Sequence, residues 1–398
     1  MTATGTTHPM IHWTEAGVER SARWRSESGM APPRRVVIAD DTTTADAAYR
    51  LACEGTALLW RGDFQNARQL LQALARRADQ QKPGKKVRPA KAAATPPATP
   101  AATPAAAPAA AFHLYRQAQS QRARTLAMLL LPFDADYTIP LRRAPDVQLA
   151  CNEAYGRGAE PFVASLRELL GLIGAHEWRR TGIALEALGQ KIHPHYGVFA
   201  PVRSEYIALV AEAPLPPRAS LAFDIGTGTG VLAAVLARRG IQRIVATDFD
   251  PRALSCAREN LVRLDLADKV EVLQADLFPP GRAPLIVCNP PWLPARPNSP
   301  IEHAVYDPDS RMLRGFLAGL AAHLEAGGEG WLILSDLAEH LGLRPRSDLL
   351  AWIAAAGLTV VARMDVKPTH PRSVDAGDAL HAARAAEVTS LWRLAAVS

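Results

Sequence analysis

From about residue 190 onward the apolar positions fall into short runs. "SLAFDIG", "RIVATDF", "KVEVLQAD", "APLIVCNPP" and "GEGWLILSD" are rich in Val, Ile and Leu, and segments of helical period at 229–239, 251–264 and 311–324 separate them. Strands that alternate with helices predict parallel pairing through right-handed crossovers, hence an α/β sheet with helices on both faces. "LTVVARMDV" and "EVTSLWRLAA" predict two further strands after the fifth. Ligands of such sheets bind beyond the carboxyl ends of the strands, near the point where strand order reverses.

The first half has another rhythm. Residues 1–44 are mostly polar, and "MAPPRR" and "DDTTT" interrupt any period, so a poorly ordered extension is expected there. From 45 to 78, Leu51, Leu58, Leu59, Phe64, Leu70, Leu71 and Leu74 are spaced as on amphipathic helices, with "RGDF" as the turn between two of them. Residues 82–111 are mostly Ala, Pro, Thr and Lys, with no acidic residue and only Val87 as a large apolar one; this predicts a disordered linker. Further helices are expected from Phe112 to about 190. Residues 45–190 therefore read as a mostly helical accessory domain interrupted by the linker, and 191–398 as the α/β domain.

Of the 398 residues 48% are hydrophobic and 21% charged, the balance of a soluble globular chain. No apolar run approaches the length of a membrane helix, and "MTATGTTHPMIHW" lacks the layout of a signal peptide, so a cytoplasmic protein with no membrane partner is expected. Cys53, Cys151, Cys256 and Cys288 lie far apart, without a CxxC pair, and His193 and His195 are expected to pack or cap rather than bind metal, so no metal is predicted. The net charge of +6 is uneven: residues 1–157 hold 21 Lys and Arg against 13 Asp and Glu. That surplus allows RNA or a ribosome-associated protein as macromolecular partner, with Arg116, Arg122 and Arg124 as candidate phosphate contacts.

The first α/β strand ends in "DIGTGTG". Gly226, Gly228 and Gly230 permit a tight turn and close approach of a ligand at the start of the next helix, with Thr227 between them. The spacing is GxGxG, not the dinucleotide GxGxxG, because Val231 stands at the third position. Asp224 before the turn disfavours a pyrophosphate and favours a ligand with a cationic group. Asp248 ends the next strand about 20 residues on, where a carboxylate accepts ribose hydroxyls. Asp276, followed by Leu277, stands at the tip of the third and suits an adenine amine. These acids describe a nucleoside with an amino-acid tail, and S-adenosylmethionine fits as cofactor. Each Asp taken alone is equally a helix cap, with Asp250 before Pro251 better placed for that than Asp248.

The fourth strand ends in "NPPW". A planar amide or exocyclic amine is a poor nucleophile because its lone pair is delocalised. The Asn289 side-chain oxygen and the Pro290 carbonyl, as acceptors for its N–H groups, would stabilise positive charge developing on nitrogen during methyl transfer. Pro290 and Pro291 fix the backbone, and Trp292 offers a face for a flat substrate.

On these residues the segment 191–394 resembles the class I S-adenosylmethionine-dependent methyltransferases of the "methyltransferase small domain" group, which includes glutamine N5-methyltransferases and rRNA amino-methyltransferases. The resemblance implies a Rossmann-like sheet. It implies that Asp224, Gly226 and Gly228 hold the methionine part, Asp248 the ribose, and Asp276 with Leu277 the adenine, and that Asn289, Pro290 and Trp292 present the acceptor. Upstream, "GVFAPVRSEYIALV" is similar to a segment that closes the site in the glutamine enzymes, which makes Phe199, Arg203 and Glu205 candidates for that role; Ser204 replaces its second proline. The expected function is N-methyl transfer to an RNA base or a glutamine amide of a translation-related protein. The alternative is a non-catalytic cofactor- or RNA-binding module, which has no need of Asn289 and Trp292.

Overall fold

A computed structural model describes residues 9–80, 106–158, 160–297, 302, 304–368 and 377–397. These fall into two compact units, one drawn from Met1–Ala107 with His113–Gly174, the other from Pro108–Phe112 with Ala175–Ser398.

The amino-terminal unit contains β1 (Met10–Glu15), β2 (Val18–Trp24), β3 (Arg35–Ala39), α1 (Ala45–Cys53), β4 (Thr56–Trp60), α2 (Phe64–Gln80), most of α3 (Ala106–Ala127), β5 (Leu129–Phe133), α4 (Gln148–Tyr155) and β6 (Phe162–Ser165), with most of α5 (Leu166–Thr181). Its six strands form one sheet in the order β1-β2-β6-β5-β4-β3. The helices expected here are present, but a mostly helical domain omits this sheet. The expectation of little structure over 1–44 is corrected by β1, β2 and β3. Ile11 and Trp13 of β1 are buried on one face, and the remainder of β1 and most of β2 face solvent, so the apolar signal is thin. Leu58 and Leu59 lie on β4, not on a helix: "TALLW" is wholly buried, and five apolar residues are too few to separate a helical from a strand period. "RGDF" thus links a strand to a helix. The linker assigned to 82–111 lies outside the described residues up to 105, and residues 106–111 open helix α3.

The second unit begins with a hairpin of β7 (Ile183–Leu185) and β8 (Gln190–Ile192), followed by α6 (Glu205–Glu212). Then come β9 (Leu221–Ile225), α7 (Val231–Arg238), β10 (Arg243–Asp248), α8 (Pro251–Arg263), β11 (Val270–Gln274), β12 (Ala283–Cys288), α9 (Arg311–His323), β13 (Leu324–Ser335), α10 (Leu337–His340), α11 (Arg346–Ala355), β14 (Leu358–Val366) and β15 (Thr389–Ala396). All seven predicted strands are present, in the order β11-β10-β9-β12-β13-β15-β14. The first five run parallel, and β15 is antiparallel to both β13 and β14. Every residue of β12 is buried, as two covered faces require. Leu285 and Val287 pack with α6, α7 and α8, while Ile286 and Cys288 pack with α9 and α11, so alternate side chains of one strand serve both layers. Strand order reverses between β9 and β12, whose carboxyl ends carry the glycine turn and "NPPW".

Candidate active site

β9 pairs with β10 on one side and β12 on the other, and Ile225 stands opposite both Thr247 and Cys288. Gly226, Asp248 and Asn289 therefore leave three neighbouring strands at one level. The glycine turn is tied to β10: the N–H groups of Gly226 and Thr227 donate to the Thr247 carbonyl at 2.9 and 2.8 Å, and that of Gly228 to Asp248 Oδ2 at 3.0 Å. Gly226, Gly228 and Gly230 all have positive φ (73°, 55° and 80°), which side chains resist. A Cβ at Gly228 would meet no atom within 4 Å, so this backbone borders open space, whereas one at Gly230 would press on Ala257 at 3.3 Å. Asn260 of α8 secures the turn from behind, donating from Nδ2 to the Thr229 carbonyl at 3.0 Å.

Asp224 lies under this turn, 1% exposed. Its Oδ2 accepts from Thr227 Oγ1 at 2.6 Å and from the Ala233 N–H at 3.1 Å, so it organises the turn and the first residues of α7. Burial pushes its carboxyl up to about 6, against those two hydrogen bonds and with help from the Asp248 charge. An acid whose pKa rises on folding holds its proton more tightly when folded. Its contribution to stability is fully present below the ordinary 3.8 and is lost as pH rises to about 6. Asp224→Asn should therefore flatten the stability profile over that window; identical pH slopes for both proteins in urea melts would reject the assignment.

Asp248 is half-buried at the tip of β10, and burial raises its pKa as well. Besides Gly228 it accepts from the Asp250 N–H at 3.0 Å, while Asp250 caps α8 through the Arg252 N–H with Pro251 in the first turn, as the sequence suggested. Phe249 beside it is 68% exposed, an apolar surface next to a carboxylate. Asp276 lies two residues beyond β11, its exposed carboxylate 3.1 Å from the equally exposed Arg311. Leu277 has a φ of 77°, and its carbonyl accepts from Thr247 Oγ1 at 2.6 Å. Leu277 and Phe278 rest on α9 where it lacks side chains: a Cβ at Gly315 would lie 2.8 Å from Leu277, and one at Gly319 2.5 Å from Phe278. The two glycines four apart in "GFLAG" lie on one face of α9 and permit that close approach.

At the tip of β12, Asn289 is half-buried, Pro290 buried, and Pro291 and Trp292 half-buried. Trp292 Nε1 donates to Asn289 Oδ1 at 2.9 Å, which fixes the amide orientation and leaves that oxygen a second lone pair. One face of the indole is covered by the Arg203 guanidinium, 5.0 Å from the ring centroid. Arg203 Nε donates to Glu205 Oε1 at 2.6 Å, so "PVRSEY" does reach the "NPPW" corner; Phe199, four residues earlier, is half-buried. Sequence reasoning missed Glu387, which also binds Arg203, at 3.1 Å from Nη2. Nothing in its surroundings "AAEVTS" marks it.

The histidines of "KIHPH" pack as expected: His193 Nδ1 is 2.7 Å from the Arg179 carbonyl and His195 Nε2 2.8 Å from Glu259. Among the described residues no group of three or more His, Cys, Asp or Glu could hold a metal ion, and no helix is long and apolar enough to cross a membrane. Of the predicted phosphate contacts, Arg122 is paired with Asp79 at 2.7 Å and Arg124 with Gln121 at 3.0 Å.

Residues 190–343 match the family model "Methyltransferase small domain". The chain is 36% identical over 159 residues to a release factor glutamine methyltransferase of Cereibacter sphaeroides, covering 39% of this chain and 53% of that protein. It is 48% identical over 69 residues to a ribosomal protein L11 methyltransferase of Pelotomaculum thermopropionicum, 17% of this chain and 22% of that one. It is 32% identical over 130 residues to a tRNA1(Val) (adenine(37)-N6)-methyltransferase of Bacteroides thetaiotaomicron, 30% of this chain and 53% of that one. The chain spans about half the length of the release factor methyltransferase it matches.

Proposed function

Taking residues 190–343 as a methyltransferase small domain, we propose that the protein is an S-adenosylmethionine-dependent N-methyltransferase whose acceptor is a planar nitrogen on a translation-related macromolecule. The observation that carries this reading is the fixed Asn289 oxygen beside the glycine turn: an amide locked by Trp292 at the tip of a central strand is a preorganised acceptor.

The residues fit the cofactor. Open space borders Gly228, the half-buried Asp248 carboxylate beside it would accept ribose hydroxyls, and exposed Phe249 adds an apolar surface. When bound, S-adenosylmethionine supplies an electrophilic methyl group on a sulfonium. The chain's own residues would hold and align: Gly226 and Gly228 through their backbone, Asp248 through its carboxylate, Asp224 by shaping the turn and adding negative charge beneath it. Asn289 Oδ1 and the Pro290 carbonyl would accept the N–H groups of the substrate, favouring tetrahedral geometry at its nitrogen and stabilising the positive charge that nitrogen would gain. The proton leaves after transfer, when the nitrogen is cationic, so no strong base is needed. Holding the substrate nitrogen at the tip of β12, next to the glycine turn, would supply much of the remaining acceleration.

A protein glutamine amide is the preferred acceptor. The similarity to a release factor glutamine methyltransferase spans 159 residues, and Arg203 of the upstream segment, bound to Glu205, lies over Trp292 of "NPPW". A base amine of RNA is the second reading, favoured by the basic surplus of residues 1–157 and by the similarity to a tRNA adenine enzyme. The test is transfer of labelled methyl to a lysate of cells lacking this gene, followed by RNase or protease digestion. Label released only by protease, in a methylated glutamine, is expected. Label released by RNase would establish the second reading, and no label in either fraction would reject methyl transfer.

A further inference from the structure

The segment just before the last strand contributes a carboxylate that neither the family match at 190–343 nor the motifs include. Glu387 has a fully buried side chain, 0% exposed. Its Oε1 accepts from Ser335 Oγ at 2.6 Å, at the carboxyl end of β13, and from Arg203 Nη2 at 3.1 Å. Its Oε2 has no hydrogen-bond partner. A buried carboxylate needs a cation, and among the described residues Arg203 supplies it. Arg203 is thus held between two buried acids, Glu205 and Glu387, and in that position it lies over Trp292, whose indole N–H fixes Asn289 Oδ1. The chain of contacts runs from Glu387 through Arg203 and Trp292 to the amide proposed to accept the substrate's N–H.

We propose that Glu387 is a positioning residue for the methyl acceptor: it holds Arg203 against the indole and so fixes the Asn289 oxygen. This rests on the N-methyl-transfer reading. With one carboxylate gone, Arg203 is free to follow Glu205 alone, and Trp292 loses the cation that covers its face. The guanidinium is required rather than a positive charge as such, because only a planar fork spans two carboxylates and still lies flat on a ring.

Glu387→Gln keeps the volume and the Ser335 contact while removing the charge. The expected result is a kcat about tenfold lower with unchanged KM for S-adenosylmethionine, the scale of misplacement rather than loss of the acceptor. In an Asn289→Ala background the same substitution should have no further effect, because both act on one group. Equal kcat for Glu387→Gln and the parent, or additive losses in the double variant, would overturn the proposal. A readout independent of turnover is the Trp292 indole N–H resonance, assigned by its loss in Trp292→Phe. It should shift and exchange faster with solvent in Glu387→Gln and in Arg203→Lys, and an unmoved resonance in both folded variants would also overturn the proposal. Should the parent transfer no methyl at all, the functional reading fails, while this resonance still tests the contact chain.

Discussion

Replacing Asn289 with alanine is expected to lower methyl transfer by about a hundredfold or more while leaving cofactor affinity unchanged, the scale of removing one preorganised transition-state hydrogen bond. The separation follows from position. Asn289 terminates β12, whereas the turn that would hold the cofactor is anchored by Thr247, Asp248 and Asn260, none of which touches the Asn289 amide in the hydrogen bonds described above. Alanine also releases the Trp292 indole N–H, so Asn289→Asp is the informative companion: it keeps an acceptor oxygen for both the indole and the substrate. Single-turnover transfer and calorimetric binding of S-adenosylhomocysteine measure the two quantities separately. Unchanged turnover in the alanine variant would remove Asn289 from the mechanism, and loss of cofactor binding would show that it supports the turn instead.

Asp248→Ala should have the converse signature, a loss of affinity for S-adenosylhomocysteine of about a hundredfold or more. Hydrogen bonds to a charged acceptor contribute about 1.5–3 kcal/mol each, and every 1.4 kcal/mol is about tenfold in affinity. Two ribose hydroxyls on one carboxylate therefore suffice for that loss. The same carboxylate receives the N–H groups of Gly228 and Asp250, so its removal also loosens the turn it faces. Asp248→Asn retains an oxygen for one of these contacts and should fall between alanine and the parent. Undiminished binding in Asp248→Ala would reject the ribose assignment.

Much of the α/β unit was legible because its central strands are buried on both faces and read as unbroken apolar runs bounded by turns, as in "PLIVC" and "WLILS". The tips of those strands were legible for a related reason: packing does not require Asp, Gly or Asn-Pro-Pro at such places, so their presence signals chemistry. The amino-terminal sheet was not legible. β1 and β2 form a hairpin with few buried residues, and β2 joins the rest only through Arg23 and Trp24 opposite Phe162 and Val163, a pairing more than a hundred residues apart in sequence. Glu387 was illegible for the same reason, since its meaning depends on Arg203, 184 residues away. The partner of Arg122 was illegible in the same way, because Asp79 of α2, which pairs with it at 2.7 Å, lies 43 residues away.

The position of β15 bears on how the protein is made. It is inserted between β13 and β14 and hydrogen-bonds to both, so these two strands have no shared partner until residues 389–396 have been synthesised. Chains grow from the amino end, so β13 and β14, complete once Val366 has been made, wait unpaired with each other until β15 follows at Thr389, an interval in which open strand edges are prone to edge-to-edge association. Glu387 emerges immediately before that strand, so the carboxylate that completes the Arg203 contacts arrives with the segment that closes the sheet. A ribosome-bound chain ending before residue 387 would possess the glycine turn and "NPPW" yet lack one of the two carboxylates that hold Arg203 over Trp292.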